Sequence, residues 1–181
     1  MKKIFCISLF IGLGGFSFGQ SLGGSFIWSN NGHIYESWSA PNGISYQDAK
    51  VFALGRGGTL ATITSADEQN AIVSNLGAVL PSTSYLGAQQ PLTNTDPVAD
   101  WAWVTGETWS YTNWNGGEPN DFNGPGSEQN LEMFNTGLWN DIGDNASGFN
   151  GGFLVEVVPE PSSVVAISLI GLGFLARKRR R

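Results

Sequence analysis

The sequence predicts an α+β domain: two helices early in the chain, then short antiparallel strands arranged around one long loop. Three observations predict it. Residues 45–54 and 65–76 each open on a short polar capping residue and continue in good helix formers. After Pro81 the chain alternates short apolar runs with Gly, Asn and Pro turns, the pattern of strands and loops. Early helices followed by strands make an α+β order, not an alternating α/β one.

In chain order, residues 20–32 are rich in Gly, Ser and Asn and read as a leader segment. His33-Ile34-Tyr35-Glu36 reads as the first strand, with a turn at Pro41-Asn42-Gly43. Ser45 caps the first helix, and Gly55-Arg56-Gly57-Gly58 ends it; no Lys-Ser/Thr follows, so this is a helix stop and not a phosphate loop. Residues 59–64 read as a strand. Ser65-Ala66-Asp67-Glu68 has the spacing of a capping box, in which the Ser hydroxyl and the Glu carboxylate each satisfy the other's backbone N–H. The last strand is expected over residues 152–158, paired with the first. The domain proper is therefore residues 33–158, near the size at which a single hydrophobic core forms readily.

The chemistry is concentrated in residues 111–142, YTNWNGGEPNDFNGPGSEQNLEMFNTGLWNDI. Glu118 and Asn120 flank Pro119, Glu128 follows, and Asn140 and Asp141 come directly after Trp139. Three carboxylates and two amides are the ligand chemistry of Ca²⁺, which takes about 6–8 oxygens. Neither His nor Cys lies in the run, which disfavours softer metals. Asp121, Asn123, Gly126 and Glu132 also match positions of an EF-hand loop, but Pro125 interrupts it and the flanks are not helical in pattern.

These residues resemble the C-type lectin domain family, whose hallmarks are a Glu-Pro-Asn triplet and a later Trp-Asn-Asp triplet. Tyr85-Leu86-Gly87-Ala88 resembles that family's Trp-Ile-Gly-Leu core strand. Trp101-Ala102-Trp103-Val104-Thr105-Gly106 with Thr112-Asn113-Trp114 resembles the approach to its long loop. The resemblance implies a C-type lectin-like fold and a Ca²⁺ cofactor held by Glu118, Asn120, Glu128, Asn140 and Asp141. It implies a cis Glu118-Pro119 bond and a further ligand from the Asp141 backbone carbonyl. Sugar hydroxyls would be bound by Glu118, Asn120, Glu128 and Asn140, with Glu-Pro-Asn pointing to a mannose/glucose-type site. Asp121 matches a position that shares a second ion in some relatives, and Asp96 or Asp100 could join it from the preceding loop. The family usually carries two disulfides. Here the corresponding positions hold Asn130, Asp144 and Val155, and the lone cysteine is Cys6. Each missing bridge removes roughly 2–5 kcal/mol.

The termini read as addresses. Residues 1–19 have Lys2 and Lys3, an apolar stretch and small residues at Ser17 and Gly19, as in a secretory signal peptide that would carry Cys6 away. At the other end, Pro159-Glu160-Pro161 is followed by an apolar run over residues 164–176 and five basic residues. This resembles the PEP-CTERM sorting tail of Gram-negative bacteria. The resemblance implies an exosortase-type processing partner, transient membrane association through residues 164–181, and a final place at the envelope or in the extracellular matrix.

Between the termini only Lys50 and Arg56 are basic, whereas all 15 acids lie from Glu36 to Glu160. Such a balance argues against nucleic acid and anionic membrane surfaces, which reward clustered Lys and Arg. It suits a protein that binds cations together with a neutral glycan or exopolysaccharide. An enzyme is disfavoured: carboxylates committed to calcium serve poorly as an acid–base pair, and any nucleophilic triad would hinge on His33. The remaining alternative is a calcium-stabilised structural or adhesive protein that binds no sugar.

Overall fold

The computed structural model describes residues 19–144 and 150–159. The expected signal peptide up to residue 18 and the sorting tail from Glu160 and Pro161 onward lie outside the described residues. Within them, the elements in order are β1 (Ser21–Ile27), β2 (Ile34–Ser39), α1 (Tyr46–Gly55), β3 (Thr59–Leu60), α2 (Ala66–Leu76), β4 (Thr83–Gln89), β5 (Ala102–Trp103), β6 (Asn130–Phe134), β7 (Trp139–Ile142) and β8 (Gly152–Val157). The α+β class and the two helices agree with the sequence.

Strands run β1-β2-β8-β4-β6-β7 through one sheet, with β3 attached to β8 and β5 to β4. The terminal strands pair as expected, Ile34 opposite Val157 and Ser39 opposite Gly152. Pairing is not wholly antiparallel, because β4 meets β8 in parallel at Tyr85 and Phe153. That join brings the two halves of the chain into a single sheet.

The leader expected over residues 20–32 is a correction. Residues 21–27 form β1 and pair antiparallel with β2, from Ser21 opposite Ser39 to Ile27 opposite Ile34. The glycines that made this stretch look like a linker have a packing reason: a Cβ on Gly23 would stand 3.0 Å from the Val79 carbonyl oxygen. Phe26 stacks on Tyr35 at 5.4 Å between ring centroids, which anchors the strand to the core.

Both helices are capped where the sequence places their starts. Ser45 Oγ accepts from the Asp48 N–H at 3.1 Å, and Ser65 Oγ from the Glu68 N–H at 3.2 Å. The second half of the expected capping box moves by one residue. Glu68 Oε2 takes the Thr64 N–H at 2.7 Å, while Oε1 accepts from the buried Tyr35 hydroxyl. Burial, and then the Glu156 and Glu68 carboxylates, raise the Tyr35 hydroxyl far above the usual phenol range.

The strand expected over residues 59–64 keeps only Thr59 and Leu60 in the ladder. Its continuation is diverted because Glu156 Oε2 accepts the Thr62 N–H at 3.0 Å, replacing a strand partner.

Two clusters make the core. One gathers Ala49 and Ala53 of α1 with Leu60, Tyr85, Phe153 and Val155. The other packs Ile72 and Leu76 of α2 with Tyr35, Leu86, Leu131, Met133 and Trp139. Trp139 is fully buried, ringed by Trp103, Trp109 and Trp114 at 5.8–5.9 Å between centroids, and its indole N–H donates to Gln69 Oε1 at 2.8 Å. At the positions where cysteine was expected, polar ties and packing stand instead. Asn130 Oδ1 accepts from Gln89 Nε2 at 2.8 Å, Asp144 Oδ1 accepts the first N–H of α1 from Tyr46 at 3.1 Å, and Val155 is buried.

Candidate metal centre

The long loop leaves β5, passes Trp114, which bridges to Trp139, and returns into β6. β6 and β7 then pair tightly, Leu131 opposite Asp141 and Glu132 opposite Asn140. The buried Trp139 therefore fixes a strand whose next two residues reach the loop. The Glu118-Pro119 bond is cis, as the resemblance implied.

Asp141 organises the floor. It is 0% exposed, and its carboxylate accepts the Asn120 N–H at 3.0 Å and the Asp121 N–H at 2.8 Å. Glu128 is buried too, with Oε2 accepting the Phe122 N–H at 2.8 Å. Glu118 is half-buried; Asp141 and the Asn120 side chain lie beside its carboxyl, and among the described residues its buried Oε2 has no hydrogen-bond partner. Asn120 is exposed and forms the rim. Asn140 joins through β6: its Nδ2 donates to Glu132 Oε1 at 3.0 Å.

The electrostatics are those of crowded negative charge. Burial raises the Glu118 carboxyl above its ordinary range, and Asp141 and Glu128 raise it further. Glu128 is raised first by burial and then by Asp141 and Asp121, against the opposing Phe122 N–H. Glu132, buried in β6, is pushed up to about 7 by burial, with the two neighbouring asparagines opposing. Among the described residues, ion pairs form elsewhere, at His33–Glu156 and Arg56–Glu36.

Glu118, Asn120, Glu128 and Asp141 thus come together directly, with Asn140 attached through Glu132. Among the described residues, no group of three His, Cys, Asp or Glu side chains is already placed to hold a metal ion. The reason is visible: Asp141 and Glu128 are turned onto backbone N–H donors of the loop. Closure around a hard cation would draw on the Asn120 and Asn140 amide oxygens and the partnerless Glu118 oxygen. The donor set, all oxygen and strongly anionic, fits Ca²⁺.

The auxiliary group does not assemble. Asp121 is buried and braces the loop, its carboxylate accepting the Gly126 N–H at 2.8 Å and the Glu128 N–H at 3.0 Å. Asp96 is exposed and accepts from the Val98 N–H within its own turn, and Asp100 is an exposed residue with φ of 57°. Neither is bonded to the cluster. The two loops do touch: Gly126, with φ of +75°, lies so near that a Cβ would stand 2.7 Å from the Asn94 carbonyl oxygen. The EF-hand reading fails as well, since Glu132 is a strand residue and no helix flanks the loop. His33 Nδ1 lies 2.6 Å from Glu156 Oε1.

Two residues beside the cluster are not among the candidates that the sequence marks. Glu132 matches only an EF-hand position, although a charged residue within an apolar strand run is a legible signal. Phe122 is 82% exposed beside the Glu128 contact, and its signal was a large aromatic in an otherwise polar loop.

Residues 42–148 match the family model described as the Lectin C-type domain. C-type lectin domain family 10 member A of Homo sapiens is 28% identical over 109 residues, 58% of this chain and 32% of that protein. The chain spans about a third or less of the length of the curated relatives it matches. The mouse scavenger receptor C-type lectin carbohydrate-recognition domain superposes with a TM-score of 0.57 at 24% identity, covering 75% of this chain and 96% of that one. A calcium-independent type II antifreeze protein superposes at 0.56 with 20% identity, covering 75% and 95%. At these identities the structural likeness is one of fold. From the matched residues and the shared architecture, this chain belongs to the C-type lectin domain family.

Proposed function

We propose that the chain is a secreted or cell-surface protein that binds carbohydrate through calcium, with a mannose/glucose-type site. The observation that carries this reading is the partnerless, buried Glu118 Oε2 set among Asp141 and Glu128 beneath the exposed Asn120. A buried anionic oxygen without a donor is costly, and a cation relieves it. Glu118, Asn120, Glu128, Asn140 and Asp141 hold the ion, which when bound supplies a hard centre for paired sugar hydroxyls. Glu118, Asn120, Glu128 and Asn140 also hydrogen-bond those hydroxyls. The order Glu-Pro-Asn supports the mannose/glucose preference. A shallow site makes few contacts, so useful strength comes from multivalent display. This is binding without catalysis, because the acids are committed to the ion.

Retention on a mannose matrix is expected in calcium and is expected to vanish on chelation; calcium-independent passage through every glycan matrix overturns the reading. Phe122 supplies a second measurement. Its exposed ring can pack on the apolar face of a saccharide, so Phe122→Ala should weaken glycan retention several-fold while leaving the calcium titration unchanged. Chelation that lowers the melting temperature, with no sugar raising it, would favour the structural or adhesive matrix reading instead.

The same proposal takes residues 1–19 as a secretion signal. Pro159-Glu160-Pro161 opens a tail cut by an exosortase-type partner at a Gram-negative envelope. Intact mass of the exported protein is expected to show Gln20 at one end and loss of residues 164–181 at the other.

A further inference from the structure

Glu132 lies in β6 directly opposite Asn140 in β7 and is 4% exposed. Both carboxylate oxygens are engaged, Oε1 by Asn140 Nδ2 at 3.0 Å and Oε2 by Asn150 Nδ2 at 2.9 Å. On its other side Glu132 pairs with Tyr85 in β4, and the Tyr85 side chain lies beside Asn150. The carboxylate is therefore wedged between strands and cannot swing away.

An ionised carboxylate only accepts hydrogen bonds. Whatever faces Glu132 from Asn140 must be the amide nitrogen, which turns Oδ1 the other way. Among the described residues no donor engages that oxygen. We propose that Glu132 is a positioning residue for the candidate cation site, holding the Asn140 amide by its nitrogen so that its oxygen is presented to the ion. This rests on the calcium reading above. Partners that orient a metal ligand commonly change affinity by about 10–100-fold when lost.

A glutamine at 132 offers one acceptor and one donor to two amide nitrogens, so one asparagine must flip. The test uses the full chain, calcium titration, and Tb³⁺ luminescence lifetimes in H₂O and D₂O, which count waters on the ion. Glu132→Gln is expected to lower calcium affinity by about 10–100-fold and to add about one water to bound Tb³⁺ where the asparagine oxygen has left. Combining it with Asn140→Asp should restore both readings, since the aspartate presents an oxygen either way and can accept from the glutamine amide. Should Glu132→Gln fail to fold, Glu132→Asp keeps the charge but withdraws the acceptors by one methylene; the same added water is expected. Wild-type binding with an unchanged affinity and water count in the variant overturns the positioning role alone. A wild-type chain that binds neither ion removes the site itself, and the positioning role with it.

Discussion

Asp141→Asn is expected to lower calcium affinity by about a hundredfold, roughly 2.7 kcal/mol, while the domain stays folded. The substitution keeps the shape of a side chain that is 0% exposed and retains one oxygen to accept from the loop. It removes one of the negative charges that make the cluster attractive to a cation, and its new NH₂ group confronts the Asn120 and Asp121 N–H donors. Alanine is the harsher change, because it leaves the buried Asp121 N–H unmatched at about 1–3 kcal/mol and removes the acceptor of the part-buried Asn120 N–H as well. Isothermal titration of the asparagine variant isolates the charge from the scaffold. Calcium affinity within threefold of wild type would place the ion elsewhere.

Acid should move the metal-free and calcium-loaded domains in opposite directions. Glu132 is raised to about 7, and Glu118 and Glu128 are raised as well, so the metal-free fold binds protons more tightly than the unfolded chain. For a carboxylate raised by folding, the penalty is complete above the folded value and relieved as pH falls toward the ordinary carboxylate value of 4.5. Calcium-stripped protein should therefore gain stability from pH 8 down to about 5, by up to about 3 kcal/mol from Glu132 alone. The calcium-loaded protein behaves oppositely, since its ligands must be ionised and protons compete for them. Melting curves of stripped and loaded protein should converge as the pH drops, and a calcium increment that is flat over this window would contradict the ligand assignment.

The proposed calcium site also bears on the missing disulfides. A ligand that binds only the folded state stabilises it by mass action, about 2.7 kcal/mol at a hundred times its dissociation constant. That matches the scale of one absent bridge. The Asp144–Tyr46 and Asn130–Gln89 ties put polar contacts between residues distant in sequence where covalent links were expected.

Much here was legible in the chain itself because it is decided locally. Ser45 and Ser65 cap their helices through residues only three positions away. The Glu-Pro-Asn and Trp-Asn-Asp triplets likewise declare their oxygens by type and spacing alone. What needed the folded molecule was long-range. Gly23 looks like a linker residue until Val79 lies against it, and the parallel join of Tyr85 to Phe153 follows from no local pattern. Asp121 reads as a spare ligand but spends its oxygens on the Gly126 and Glu128 amides, while Asp96 is held within its own turn. Glu132 acquires meaning only when β7 sets Asn140 opposite it. Residue type and near-neighbour spacing determine which atoms can bind a cation; which of those atoms remain free to do so depends on hydrogen-bond partners that only the tertiary structure supplies.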